Sequence, residues 1–137
     1  MPHQRLRKFN QTQMRYYDGQ RLSNDMCMAV IADKHVYLRG QTGHDMHDST
    51  TIAIGDAAAQ ADQAMKNVKQ LLAESGARLE DVVKVTVWVT DRDNRVPVLN
   101  AIGRHLKGVH CAYTDVIIKG LATPELLMEV DVDAVLP

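Results

Sequence analysis

Residues 56–90 read DAAAQADQAMKNVKQLLAESGARLEDVVKVTVWVT, and this stretch decides the fold. Asp56 is predicted to cap a helix, because its side chain can accept a hydrogen bond from a free backbone N–H of the first turn. Apolar residues then recur at helical spacing on one face until Gly76 ends the helix. That face comprises Ala58, Ala61, Ala64, Met65, Val68, Leu71 and Leu72. Valines at every second position from Val83 onward predict a half-buried strand after the helix.

Shorter extended segments precede this helix. Residues 6–9 predict a short edge strand, and residues 18–20 carry a turn signal. Residues 26–32 predict a strand that a tight connection joins to a second one over 36–40, so the two form a hairpin. The stretch 41–55 is rich in Gly, His, Asp and Ser and predicts a polar surface loop.

A second helix and two strands follow. The helix is predicted to begin near Asp91 or Asp93, since Pro97 is tolerated only near a first turn. Its predicted apolar face comprises Val96, Leu99, Ile102 and Leu106. Strands over roughly 110–118 and 126–135 complete a single domain over residues 1–137.

The element order is therefore β-β-β-α-β-α-β-β, an α+β sheet with two helices on one face. One layer of helices cannot cover both faces of a sheet, so the pattern favours self-association through the other face.

Composition narrows the class of protein. At 45% hydrophobic residues the chain can bury a core without a metal or disulfide, and no cofactor or metal is expected. Sixteen basic and seventeen acidic side chains give a net charge of −1, which offers no basic surface for nucleic acid or an anionic membrane. No stretch approaches the ~18 apolar residues of a membrane span, and the N-terminus leads into no apolar segment. We expect a cytoplasmic protein with Cys27 and Cys111 as free thiols.

Four short features together resemble the RidA/YjgF family of small trimeric imine deaminases. They are LRGQ at 38–41, the pair Gln60 and Asn67, Asn100, and CAYT at 111–114. The resemblance spans nearly the whole chain. It implies a homotrimer whose sheets pack into a central barrel, with binding sites in the clefts between subunits.

The CAYT segment departs from the family pattern, which is Pro-Ala-Arg followed by Ser or Thr. The family's arginine clamps the substrate carboxylate. Tyr113 stands in its place and Cys111 replaces the proline, whereas Thr114 fits the pattern. A tyrosine supplies neither a permanent positive charge nor a bidentate fork. By position, all three remain predicted substrate-binding residues.

The resemblance also implies roles for residues on two other strands. Glu129 matches the glutamate that positions the attacking water in RidA-like enzymes, and Gly40 matches a glycine whose backbone lies against the ligand. Spacing alone would place Glu129, Asp131 and Asp133 on one solvated strand face. Arg39 replaces the family's serine.

Arg39 and Tyr113 each allow two interpretations. Arg39 either supplies the cation lost at Tyr113, or pairs with an acid across a subunit interface. Tyr113 either donates a hydrogen bond to the ligand, stacks on it or closes the cleft, or is an ordinary interface tyrosine. Cys111 is interpreted first as a structural thiol, because no histidine and aspartate are arranged to activate it.

Two further patterns favour structural roles. Gln60, Gln63 and Asn67 form an amide stripe at helical spacing, and buried amides usually bond loop backbone. His44 and His47, with Asp45 and Asp48, loosely resemble metal-ligand spacing. Nothing elsewhere in the sequence completes such a site, so a solvated loop is the preferred interpretation.

Three functions remain open from the sequence. The first is a deaminase or related hydrolase acting on a small imine, enamine or similar C–N bond, possessing weak or no activity on the usual 2-imino acids. The second is a non-catalytic trimeric protein that binds a small molecule such as a carboxylate. The third is a ribonuclease or translation inhibitor, which the near-neutral charge disfavours.

Overall fold

The computed structural model describes residues 2–10, 19 and 21–137, so residues 18 and 20 of the turn signal lie outside the described part. The strands are β1 (Gln4–Leu6), β2 (Phe9–Asn10), β3 (Asp25–Met26), β4 (Ala29–Ala32), β5 (His35–Leu38), β6 (Val82–Val89), β7 (Ala112–Ile117) and β8 (Met128–Val135). The helices are α1 (Ala57–Glu74) and α2 (Arg95–His105). Among the described residues, no helix combines the length and apolar character that crossing a bilayer would require.

Six strands form one sheet in the order β1-β4-β5-β8-β6-β7, and β2 pairs with β3 in a separate two-stranded ribbon. Within the main sheet β6 and β7 are parallel, because α2 carries the chain back between them, and the other pairs are antiparallel. Both helices contribute buried residues to the core that lies against one face of the sheet. The predicted α+β class is confirmed.

Helix α1 begins and ends as the sequence predicts. The Asp56 side chain accepts a hydrogen bond from the Ala59 backbone N–H at 3.0 Å. Gly76 follows the helix with a φ of +82°, a left-handed conformation that suits glycine. The predicted apolar face is buried except for Ala58, which is partly exposed, and the amides Gln60 and Asn67 are buried with it.

Two predicted apolar faces need correction. On α2 the predicted Ile102 and Leu106 are buried, but Val96 is 58% exposed. Val98 and Ala101, which were not predicted, are buried with them. Val98 and Ile102 are four residues apart, so they form as good a helical stripe as the predicted one. On β6 the buried valine is Val82 rather than Val83.

A β-bulge explains the error on β6. The register pairs Val82 with Ala134 and Lys84 with Asp133, so Val83 is an extra residue on its strand. An extra residue breaks the alternation of side chains at that point. Val83 is consequently 46% exposed.

The N-terminal strands are shorter than predicted. The segment 6–9 is divided between β1 and β2 at Arg7, whose φ is +54°, and the segment 26–32 is divided between β3 and β4. The hairpin of β4 and β5 is confirmed. The stretch 41–55 is not wholly a surface loop, since residues 41–43 are buried.

Candidate functional site

A cavity of about 680 Å³ opens beside the end of β5. Its walls come from residues 7–10, from parts of 39–51 that follow β5, from the connection 122–126, and from Met28 and Glu129. Ligand sites in proteins commonly have volumes of roughly 300–1,000 Å³. The volume and the mixture of polar and apolar walls suit a small organic ligand.

The backbone makes an irregular step where the cavity meets the sheet. Tyr37 pairs with Asp133, and Gln41 pairs with Val130. The chain therefore advances four residues from Tyr37 to Gln41 while β8 advances only three between their partners. One extra residue is therefore inserted after β5, a bulge that re-aims the neighbouring side chains.

Gly40 lies in this bulge and is packed against two carboxylates. A Cβ atom at this position would be 2.5 Å from Glu129 Oε2 and 2.7 Å from Asp131 Oδ1. Both distances are too short for real atoms, so only glycine fits without displacing the acids. Within the chain, the atoms that approach the glycine closely are those of Glu129 and Asp131.

Glu129 is half-buried in the cavity wall, and its surroundings favour the protonated form. Burial raises the pKa of the Glu129 carboxyl, the charge of Asp131 raises it further, and the Arg39 guanidinium opposes both. A carboxylate with a raised pKa holds a proton more readily at near-neutral pH, which is the property of a general base or acid.

Arg39 is held at the cavity by its backbone. Its N–H donates to Met28 O at 2.8 Å, and its carbonyl accepts from Gln41 Nε2 at 2.8 Å. The guanidinium lies over the Phe9 ring, 5.3 Å from the centroid, a favourable cation–π arrangement. Across the described part of the chain, Arg39, which lines the cavity, forms no ion pair of 4 Å or less.

His44 also lines the cavity, and the solvated-loop interpretation of this residue is wrong. Its side chain is partly buried, and its Nδ1 pairs with Thr42 Oγ1 at 2.9 Å. Burial lowers the pKa of the His44 ring, and the charge of Arg39 lowers it further against the opposing effect of Asp45. These surroundings favour the neutral form of the ring.

The other residues of the loosely metal-like pattern shape the loop. The Asp45 carboxylate accepts from the His47 backbone N–H at 2.7 Å, and the Asp48 carboxylate accepts from the Thr50 backbone N–H at 2.9 Å. Among the described residues, no group of three or more His, Cys, Asp and Glu side chains is arranged to hold a metal ion.

The amide stripe of α1 bonds loop backbone, as predicted. Gln60 accepts from the Leu127 N–H at 2.9 Å and donates to Glu125 O at 3.0 Å. Asn67 donates to His44 O at 2.9 Å and itself accepts from Gln63. These bonds attach α1 to two segments that line the cavity, the one that follows β5 and the connection before β8. Asn100 is exposed on α2.

Residues 111–114 lie on and next to β7, outside the cavity of their own chain. Tyr113 is 40% exposed, and burial, together with Asp115, raises its pKa to about 12. Burial likewise raises the pKa of the Cys111 thiol, which disfavours a reactive thiolate. Thr114 accepts a hydrogen bond from Lys84 Nζ at 2.7 Å.

The sheet separates the predicted site residues into two groups. Arg39, Gly40 and Glu129 meet at one cavity. Tyr113 pairs in register with Val85 and so shares the helix-covered face, whereas Glu129 is opposite Trp88 on the other face. Three inter-strand spacings separate β5 from β7, about 14 Å. One chain alone does not bring Tyr113 to the ligand cavity.

Comparison with known proteins settles the family. The family model described as Endoribonuclease L-PSP matches residues 21–136. The chain belongs to the RidA/YjgF family. Structures of family members share the fold: RidA from an Antarctic Psychrobacter species has 25% identity and a TM-score of 0.75, over 95% of this chain and 100% of that one.

Curated members of the family are more similar in parts of the sequence. Protein DfrA of Myxococcus xanthus is 32% identical over 106 residues, which cover 77% of this chain and 78% of DfrA. The human 2-iminobutanoate/2-iminopropanoate deaminase is 36% identical over 63 residues, 46% of this chain and 45% of the human protein. The family therefore includes imine deaminases.

Proposed function

We propose that this protein hydrolyses a small imine, enamine or related C–N bond, with Glu129 positioning the attacking water. The observation that carries the proposal is the placement of the Glu129 carboxylate in the cavity wall, against Gly40 and within the electrostatic reach of Arg39. The names of similar proteins support the reaction class, because human and rat relatives are 2-iminobutanoate/2-iminopropanoate deaminases.

The proposed reaction needs only water and the side chains of the protein. Glu129 accepts a proton as the oxygen of water forms a bond to the imine carbon, which gives a carbinolamine. Proton transfer to the nitrogen lets ammonia leave, and the C=N bond is replaced by C=O. General-base assistance of this kind contributes roughly 10²- to 10⁴-fold.

We further propose that Arg39 holds the acidic group of the substrate. A guanidinium without an ion-pair partner in the described chain, next to the proposed base, can bind a carboxylate through charge-assisted hydrogen bonds. The activity on standard 2-imino acids is expected to be weak, because Tyr113 replaces the family's arginine.

The proposed site lies between subunits of a homotrimer. Strand β7 is at the edge of the sheet, where its outer hydrogen-bonding groups have no partner strand among the described residues. If a neighbouring copy brings β7 to the cavity, Tyr113, Thr114 and Cys111 contact the ligand from there. Light scattering at micromolar concentration should then give three times the 15.3 kDa chain mass. A stable monomer would contradict both the trimer and the shared site.

The reaction is tested by ammonia release from imines generated in situ from a panel of amino acids. The variant Glu129→Gln keeps the shape of the side chain but cannot take a proton, and should lose roughly 10²- to 10⁴-fold in turnover. Asp133→Asn is the matched control, since Asp133 lies on the same strand face but does not line the cavity. Equal turnover by wild type and Glu129→Gln would exclude Glu129 as the base.

A non-catalytic binding protein is the second candidate. The observation that favours it is Tyr113, whose neutral phenol replaces the cation that imine hydrolysis uses in the family. Binding of small carboxylates without ammonia release from any imine of the panel would support it. A ribonuclease role is the weakest candidate, because the net charge is −1 and Glu129 stands in the cavity wall.

A further inference from the structure

We propose that His44 binds the ligand carboxylate together with Arg39, so that one chain supplies a two-residue anion subsite within its own cavity. The inference rests on the proposed function, because it assigns the acidic group of the same ligand to a particular pair of side chains. It adds a residue that is not among the family motifs and that the sequence pattern placed in a solvated loop.

The location of His44 is the first support. His44 and Arg39 line the same cavity, and both come from the segment that follows the hairpin of β4 and β5. Burial lowers the pKa of the His44 ring, and the charge of Arg39 lowers it further, so the two side chains are electrostatic neighbours. An anion placed between them would offset that repulsion.

The rigidity of the loop is the second support. The Asn67 side chain donates to His44 O at 2.9 Å, which ties the loop to α1. A Cβ on Gly43 would be 2.7 Å from the Cβ of Gln60, so glycine is needed for the loop to pack this closely. The backbone that carries His44 is thus fixed before a ligand arrives, which lowers the entropic cost of binding.

The hydrogen bond of the ring is the third support. Thr42 Oγ1 lies 2.9 Å from Nδ1, and Nε2 has no hydrogen-bond partner among the described residues. When the threonine hydroxyl donates to Nδ1, the neutral ring carries its hydrogen on Nε2. That nitrogen can then donate to a carboxylate oxygen, while Arg39 donates to the same group.

The charges around the cavity favour a carboxylate over a phosphate. Besides Arg39, the charged groups among the described residues that line it are Arg7, Lys8, Glu125 and Glu129, with His47 as a further titratable group. Arg7 is already paired with Glu74 at 2.8 Å. Lys8 is exposed at the rim, which leaves Arg39 and the His44 ring as the inner groups for an anion. One guanidinium and one imidazole suit a monoanion, and an ionised Glu129 would repel a dianion more strongly than a monoanion.

Nuclear magnetic resonance of the wild-type protein provides the test. The His44 ring is titrated alone and with 2-oxobutanoate, its amide or inorganic phosphate. We expect 2-oxobutanoate to raise the pKa of His44 and the amide to leave it unchanged, because a bound carboxylate stabilises the imidazolium. Binding then takes up protons, so the affinity for the acid increases as the pH falls through the range in which His44 titrates.

Variants separate this role from a general effect of cavity charge. His44→Phe removes the donor and should weaken 2-oxobutanoate binding by about 10-fold or more. His44→Gln retains a donor but does not titrate, so it should keep most of the affinity and lose its pH dependence. His47→Gln is the control within the same cavity and should change neither.

Each contrary result has a distinct meaning. If the acid binds through Arg39 while the His44 pKa stays unchanged, the His44 inference is overturned and the proposed function stands. If phosphate alone raises the pKa, the carboxylate class is overturned. If none of the three probes perturbs any cavity residue, the proposed site fails together with the inference.

Discussion

The cavity beside β5 and the edge strand β7 are built in different ways, although the family motifs fall on both. The cavity residues are held by a bulge at Gly40 and by amide side chains from α1. In the part of the chain that the structure describes, strand β7 has a partner strand on one side only, and Tyr113 on it is 40% exposed. The sheet thus provides a prearranged half-site in one region and an open edge in the other.

This contrast bears on the two departures from the family pattern. Arg39, which adds a cation relative to the family, lines the cavity beside β5. Tyr113, which replaces the family's arginine, lies on the edge strand β7. Within one chain the two side chains cannot contact the same ligand, because they lie three strand spacings apart and on opposite faces of the sheet. Compensation between them requires a second copy of the chain.

Among the tests of this contrast, the largest expected effect concerns the missing arginine. Turnover of 2-iminobutanoate should be roughly 30- to 1,000-fold below that of an arginine-bearing relative, since a charge-assisted bidentate contact is absent. Tyr113→Arg should recover about 10-fold or more of this loss if β7 of a neighbouring copy reaches the cavity. Steady-state ammonia release measures both.

Val116→Arg is the matched control, since Val116 is equally exposed on β7 but points to the opposite face. Equal turnover by the two arginine variants would show that β7 does not meet the ligand. Wild-type turnover at the level of an arginine-bearing relative would show that another cation has fully replaced the missing one.

Removal of Arg39 should have the next largest effect. Arg39→Ala should abolish the preference for a small carboxylic acid over its amide, a loss of roughly 10- to 150-fold in acid affinity measured by calorimetry. Lys8→Ala removes an exposed cation from the same cavity rim and should change the affinity by no more than about 3-fold. If Arg39→Ala leaves acid binding untouched, Arg39 is an interface or surface residue and the cavity serves neutral ligands.

Tyr113→Phe should weaken ligand binding only modestly. One neutral hydrogen bond contributes about 0.5–1.5 kcal/mol, so the expected loss in affinity is about 2- to 13-fold. Tyr37→Phe removes the hydroxyl of another exposed tyrosine, on β5, and serves as the control. If Tyr113→Phe binds the ligand as tightly as the wild type, the Tyr113 hydroxyl does not contact the ligand, whether or not the ring does.

The smallest effect is on stability. Because the folded protein raises the pKa of Glu129, stability falls as pH rises through the window between the unfolded and folded pKa values. Above that window the charged form carries a cost that glutamine does not, so Glu129→Gln should raise Tm at about pH 8 by a few degrees at most. The gain should vanish below the usual pKa of a glutamate.

Asp62→Asn is a control of opposite sign. The hydrogen bond from His105 lowers the pKa of the Asp62 carboxyl, so the charged form stabilises the fold above the unfolded pKa. That contribution is lost as pH falls through the folded pKa. Asp62→Asn should therefore lower Tm at neutral pH. If Glu129→Gln lowers Tm as well, the Glu129 carboxylate is held by favourable contacts rather than strained by burial.

Much of the fold follows from local features of the sequence. The cap at Asp56, the left-handed Gly76 and the apolar spacing of α1 depend on contacts within a few residues, so they are visible in the chain itself. The exposed Val83 and Val96 were predicted as buried, because a bulge and the packing of α2 against α1 decide those positions. Neither leaves a distinct local pattern.

The sequence by itself determined the fold class, the family motifs and their two departures, since side-chain periodicity and short motifs are local properties. Only the tertiary structure decided which of these residues meet. The bulge brings Gly40 against Glu129, and the buried amides direct His44 into the cavity beside Arg39. Strand order sets Tyr113 apart on the edge. Such distances depend on contacts between residues far apart in the chain, which no local pattern encodes.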